Sequence, residues 1–342
     1  LKPGAASRRP ASLALLFMPV AAGHLQYPKV RALLPRTRLA YVHLQNLLTD
    51  AKRDRSARVF GYVAIWLPEE FVLLYMEEGD VVNATATADG RRWRALPISE
   101  AIGMVPNAAE YGEICFHEAE DEQLAAMYAT QLMPDLGLDL PVLSSSAVLG
   151  NLMATLFDGV LEVTADGEVN YLVFQHGMPL RGYFASDAVA GDPMSRARAL
   201  LDRALQNGGA ARRFDVPPAL PNQAAPALII AYRELMGTLI RRLHESGAES
   251  AFTVAEHARH HLLAQYPALE KFSLTIPNQK DPVVEATALS AAMAAWLGDT
   301  LWHLHLPDGV TGEQLLAEVA RPRRHLFQAA GLFEALPWSI PW

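Results

Sequence analysis

Apolar positions along the first two thirds of the chain alternate between two textures. Tyr41, Leu44, Leu47 and Leu48 recur every three to four residues, and Val148, Leu149 and Leu152 do the same a hundred residues later. Each group predicts a short amphipathic helix. Short apolar runs then follow, bounded by turn residues. In the first region these are Gly61-Tyr62-Val63-Ala64-Ile65 and Leu73-Leu74-Tyr75-Met76, with Pro68 and Gly79 at the corners. In the second they are Gly159-Val160-Leu161-Glu162-Val163 and Tyr171-Leu172-Val173-Phe174, with Asp166-Gly167 and His176-Gly177 between and after them. Asp-Gly suits a tight turn that needs positive φ, so each region predicts a three-stranded antiparallel meander. A polar helical stretch follows each meander, at 99–109 and 195–207, and a closing strand ends each region, at 112–117 and 212–216.

The two regions match as a repeat. Gly61 through Val82 aligns with Gly159 through Leu180 at a constant offset of 98. Upstream, Leu44-Gln45-Asn46-Leu47-Leu48 matches Leu149-Gly150-Asn151-Leu152-Met153 at an offset of 105, which puts seven extra residues into the charged loop 50–58 of the first copy. Loops accept such insertions. The succession of helix, Gly-Val-Leu-x-Val strand, Phe-x-x-Gly turn and closing strand resembles the PATAN domain, the N-terminal region of PatA-type bacterial response regulators. The resemblance covers residues 144–219 and, with Met76 in place of the aromatic residue and a longer loop, residues 40–119. It implies non-catalytic modules of bacterial signalling and motility systems that mediate protein contacts, and it brings no catalytic residues.

Beyond Pro226 the texture becomes helical. Leu228, Ile229, Tyr232, Leu235, Met236, Leu239, Ile240 and Leu243 predict one helix that Gly247 stops. Further helices are expected at 253–265, 282–302, 311–319 and 322–333, with Thr311 as an N-cap. The fold class is therefore α+β: two repeated units of helix plus small antiparallel meander, followed by an all-helical C-terminal domain. The expected division is an extended arm over 1–38, α+β units over 39–130 and 131–222, and a helical domain with a Trp/Pro tail over 223–342.

Charge changes the picture at the ends. The chain has 342 residues, a formal charge of −8 and 19% charged residues, which excludes nucleic-acid binding by simple charge. Residues 1–60 nevertheless hold eleven Lys or Arg against Asp50 and Asp54, for a local +9 that leaves −17 on the remainder. Such a basic leader fits an anionic lipid surface, an acidic protein face or the chain's own acidic body. Within it, 13–22 (LALLFMPVAA) follows Arg8 and Arg9 in the manner of a signal peptide, but the run is short and contains Pro19. Pro3, Pro10, Pro19 and Pro28 preclude one long helix, so the arm is expected to run extended. Arg8, Arg9, Leu13, Leu15, Leu16, Phe17 and Met18 are its expected contacts, and Trp338, Ile340 and Trp342 are those of the tail. No run approaches the roughly 18 apolar residues of a membrane span.

Candidate chemistry adds little. The lone Cys115 reads as a buried core thiol and excludes a disulfide framework or cysteine cage. His257 and His261 share a helix face at i, i+4, but the H-E-x-x-H pattern is absent, so His257, His260 and His261 read as a solvated or partner-facing surface. Among Ser144-Ser145-Ser146, Ser145 or Ser146 is expected to cap a helix, and the acidic run from Glu118 to Glu122 reads as a helix start. There is no Gly-rich phosphate loop and no nucleophile elbow. No catalytic, cofactor or metal residue is assigned, and neither a small-molecule substrate nor nucleic acid is expected. The reading is a non-catalytic scaffold or membrane-extrinsic subunit, cytoplasmic and peripheral to a membrane, docked on a multi-subunit assembly, with a photosynthetic or respiratory complex as one setting. A soluble signalling or motility adaptor is the alternative, and an enzyme the third class.

Overall fold

The computed structural model describes residues 23–53, 59–108, 110–137, 144–186, 191–306 and 311–340. They divide into two compact units: one of the described residues up to Ala95 with Ala101–Leu220, the other of Leu96–Glu100 with the residues from Pro221 on.

The first unit contains, in order, β1 (Arg31–Arg38), α1 (Leu44–Arg53), β2 (Gly61–Trp66), β3 (Phe71–Glu77), β4 (Asp80–Thr87), β5 (Trp93–Ala95), α2 (Ile98–Ala108, its first residues in the second unit), β6 (Glu113–Glu118) and α3 (Asp121–Leu132). It continues with α4 (Ser145–Ala154), β7 (Gly159–Ala165), β8 (Glu168–Gln175), β9 (Met178–Tyr183), α5 (Pro193–Gln206) and β10 (Ala210–Phe214). Two antiparallel sheets result, ordered β1-β6-β2-β3-β4-β5 and β10-β7-β8-β9. The order β6-β2-β3-β4 thus repeats as β10-β7-β8-β9.

The repeat holds residue by residue. Gly61 pairs with Met76 and Ile65 with Val72, while Gly159 pairs with Phe174 and Val163 with Asn170. A bulge falls between Tyr75 and Met76, and its counterpart falls 98 residues on, between Val173 and Phe174. Glu78-Gly79 and His176-Gly177 both take positive φ at the turn that follows. A Cβ on Gly61 would strike the His117 carbonyl, and one on Gly159 the Phe214 carbonyl. Both glycines therefore let the closing strand approach.

The helices correct the alignment. Gly79 packs against the Ala51 carbonyl and Lys52 Cα, and Gly177 against the Leu152 carbonyl and Met153 Cα. Ala51 thus stands where Leu152 does, at an offset of 101 rather than 105, and the loop of the first copy is three residues longer rather than seven. The error is four residues, about one helical turn, and a slip of one turn leaves the same apolar face forward.

Alternation gives each sheet two apolar faces. Leu161, Val163, Leu172 and Phe174 pack under α4 and α5. Tyr62, Ala64, Trp66, Phe71, Leu73 and Tyr75 of the first sheet share a core with Val160, Val169 and Tyr171 of the second, and Leu124 and Met127 of α3 join them. Residues 31–38, expected within the arm, are a sheet strand paired with β6. Just before it, Gln26 exchanges backbone hydrogen bonds of 2.9 Å with Gly167 and Val169. Tyr27 stacks on Phe71 at 6.1 Å and meets Tyr62 edge-on. The segment from Gln26 to Arg38 therefore ties one sheet to the other.

The second unit contains α6 (Pro226–Glu245), α7 (Ala251–Leu262), α8 (Ala286–Trp302), α9 (Gly312–Ala320), α10 (Arg324–Ala329) and α11 (Leu332–Ala335). The expected helix over 322–333 is broken where Gly331 takes φ +79. Gln223 holds the entering segment: its Oε1 accepts from the Ile98 N–H at 3.0 Å and its Nε2 donates to the Leu96 carbonyl at 2.9 Å. Among the described residues no helix is long and apolar enough to cross a membrane.

Two close approaches and one open helix position test this account. Gly61→Ala and Gly159→Ala should each lower stability in urea titration by roughly 1–3 kcal/mol, because each new methyl overpacks a strand pair. Gly150→Ala, in α4 with nothing within 4 Å of a Cβ, should raise it by about 0.5–1 kcal/mol.

Candidate interaction surface

The two sheets expose unequal edges. At β1 the edge carries Arg31, Pro35 and two register shifts, the features that discourage another strand from pairing. At the opposite edge of the first sheet, β5 lies along β4 and pairs Trp93 with Thr87, Arg94 with Ala86 and Ala95 with Thr85. Arg94 there donates to both Glu70 oxygens at 2.8 Å, and Trp93 meets Phe71 edge-on at 5.8 Å. Among the described residues no strand takes the corresponding place beside β9.

β9 also presents the wrong chemistry for a bare solvated edge. Met178 and Leu180 are 49% and 53% exposed. By the 98-residue offset they replace Asp80, which binds Lys52 at 2.6 Å, and Val82. Pro179 gives up one backbone donor, as an edge strand tolerates. Leu180 borders two grooves. One, of about 470 Å³, runs along Arg181, Phe184, Pro193 and Arg196. The other, of about 440 Å³, runs along Val216 and Pro217 with Asp121, Glu122 and Asp158 at its rim.

The end of α4 meets the turn before β9, where Gly177 packs against Leu152 and Met153. Leu156 has φ +49 and lies exposed. The Phe157 N–H reaches the Leu152 carbonyl at 3.0 Å, and the Leu156 N–H the Met153 carbonyl at 3.2 Å. This left-handed helix stop is normally glycine, so a bulky exposed leucine there is strained. His176 closes the adjacent turn by donating its N–H to Asp158 Oδ1 at 2.6 Å.

Charges steady the strand without covering it. The Tyr183 hydroxyl donates to Glu122 Oε2 at 2.8 Å, and Arg181 Nη1 donates to the same oxygen at 3.0 Å. Burial, and then the Glu122 carboxylate, push the Tyr183 hydroxyl above its ordinary range. Arg196 lies 4.1 Å over the Phe184 ring, and its Nε is buried without a hydrogen-bond partner. An open backbone ladder flanked by apolar side chains accepts an added strand, with the ladder supplying affinity and the pockets specificity.

The comparisons leave this geometry to stand alone. The chain matches no family model, no curated protein and no solved structure.

The residues singled out from sequence are placed elsewhere. Arg8, Arg9, Leu13, Leu15, Leu16, Phe17, Met18 and Trp342 lie outside the described residues. Trp338 and Ile340 pack against the core of the second unit, so that domain itself covers apolar surface assigned to a partner. His257, His260 and His261 are exposed on α7, with His260 3.8 Å from Glu256 and His261 3.7 Å from Asp299. Among the described residues no three or more His, Cys, Asp or Glu gather as metal ligands. Cys115 is buried, and burial pushes its thiol up to about 12. The cap of α4 is Ser144 rather than Ser145 or Ser146, its Oγ accepting from the Ala147 N–H at 3.1 Å. Sequence reasoning missed the β9 edge, although the replacement of Asp80 by Met178 within the repeat is a visible signal.

The strained leucine gives a test that needs no partner. Leu156→Gly should raise stability by roughly 1 kcal/mol in chemical denaturation, by relieving a left-handed side-chain clash. Leu156→Ala keeps that conformational cost and should bring no gain.

Proposed function

We propose that this chain is a non-catalytic scaffold that binds an extended segment of a partner protein along β9. The observation that carries the reading is the difference between the copies: β4 is lined by β5, whereas β9 bares Met178 and Leu180. The segment would carry apolar residues at alternate positions, to fill the two grooves beside Leu180. A basic residue would face the rim formed by Asp121, Glu122 and Asp158. Strand addition meets the open ladder, and alternation places every second side chain in a groove. The resemblance to PATAN modules favours the same class of role, in a signalling or motility adaptor.

The scaffold reading extends to a multi-subunit assembly at a membrane surface, with Arg8, Arg9 and the apolar run 13–18 as the attachment. It rests on the charge and hydrophobicity of that stretch, since anionic lipid attracts basic residues and apolar side chains add a salt-resistant part.

Selection of displayed peptides against the full chain tests the edge. Selected peptides should be extended, apolar at alternate positions and basic at one end. They should lose at least about tenfold in affinity to Leu180→Lys, because a lysine on an open edge opposes strand addition. Peptides that bind Leu180→Lys as well as the original chain would overturn the proposal.

A further inference from the structure

Between the two facing sheets of the first unit lies a cleft of about 470 Å³ that strand addition does not use. That volume is in the range of small-molecule sites. Tyr27 and Trp93 form aromatic walls, exposed Arg91 stands at the mouth, and Gln131, Glu162 and Tyr171 lie deep inside.

The hydrogen bonds at its floor do not balance. Gln131 Oε1 accepts from the Tyr75 hydroxyl at 2.8 Å and from the Thr85 hydroxyl at 2.7 Å. Those two bonds fix the amide, and its Nε2 is left buried with two N–H donors and no acceptor. The Tyr171 hydroxyl is likewise buried, and no polar atom meets it in good hydrogen-bond geometry, the Thr130 hydroxyl being its close polar neighbour. The Thr130 hydroxyl beside it donates to the Met127 carbonyl at 3.3 Å. Glu162 Oε1 is engaged by Arg212, whose Nε and Nη2 donate at 3.0 and 2.6 Å. Burial pushes the Glu162 carboxyl up and Arg212 opposes that shift, so the pair neutralises its own charge within the cleft. Buried donors without acceptors are costly, and in a native protein each calls for an explanation.

The pattern selects among ligands. A saturated polyol could accept from these groups too, but it has no flat face to lie against Tyr27 and Trp93. An aliphatic ligand would leave Gln131 and Tyr171 unmet. A planar ring with acceptors along one edge satisfies both groups and lies against the aromatic walls. An anionic substituent on that ring would meet Arg91 at the mouth, where Gly208 leaves open space.

We propose that this cleft binds a free mononucleotide, with the acceptor edge of its base on Gln131 Nε2 and the Tyr171 hydroxyl and its phosphate toward Arg91. The site lies apart from β9, so it would make the protein a scaffold that also carries a small ligand.

Isothermal titration calorimetry of the full chain with AMP, GMP, CMP and UMP, and with ribose 5-phosphate as the base-free probe, tests the assignment. At least one nucleotide should bind with a dissociation constant below about 1 mM, and ribose 5-phosphate should bind at least about tenfold more weakly. Tyr171→Phe removes only the unmet hydroxyl, so it should weaken binding by about tenfold without lowering the melting temperature. Gln131→Glu keeps the acceptor for Tyr75 and Thr85 while removing the donor, and should weaken binding similarly. Leu180→Lys should leave nucleotide binding unchanged, which separates this site from the β9 edge. The proposal is overturned if no nucleotide binds, if ribose 5-phosphate binds equally well, or if Tyr171→Phe binds like the original chain.

Discussion

A strand buried on both faces needs two partners, and that constraint governs the first unit. Every residue from Tyr62 to Trp66 is buried, so β2 must meet apolar surface on both sides of its sheet. In the second sheet, α4 and α5 cover one face and leave the other, around Val160, Val169 and Tyr171, to pair with the first sheet. Two meanders of the same order and register supply that pair. α3 and the Gln26–Arg38 segment lock it, since Tyr27 packs on Phe71 while Gln26 bonds to the opposite sheet.

The shared core contains many polar groups, and their accounting explains its shape. The Tyr62 hydroxyl donates to the Pro28 carbonyl at 3.0 Å, and Gln123 Nε2 donates to the same carbonyl at 2.6 Å. These bonds hold the bridging segment against α3 and the first sheet. Burial depresses His117 to about 4, so the imidazole beside Tyr62 stays neutral at ordinary pH. At Gln131 Nε2 and the Tyr171 hydroxyl the accounting does not close, and both residues line the cleft. Packing and site are thus consequences of the same juxtaposition.

Much of the fold was legible because it depends on local periodicity. Gly61 and Gly159, the Asp166-Gly167 and His176-Gly177 turns, and the helical run from Leu228 to Leu243 all carry their signals within a few residues. Helix register was less legible, because apolar residues at three-to-four spacing look the same after a shift of one turn. β1 and β5 were not legible at all. Arg31–Arg38 is basic and contains Pro35, and only its partner β6, about eighty residues away, makes it a strand. The candidate surface was hidden for a related reason. Met178 and Leu180 read as ordinary strand residues until the sheet order shows no strand beside them among the described residues. The cleft is a property of contacts between distant segments, and no motif announces Gln131 or Tyr171.

Native-state hydrogen exchange on the full chain and on Tyr27→Ala tests the central claim, that the two sheets fold as one unit across a shared core. The account expects the most protected amides of β2 and β3 to open with the same free energy as those of β7 and β8, and expects Tyr27→Ala to lower both sets equally. A Tyr27→Ala protein that loses protection only in the first sheet, with β7 and β8 unchanged, would contradict it.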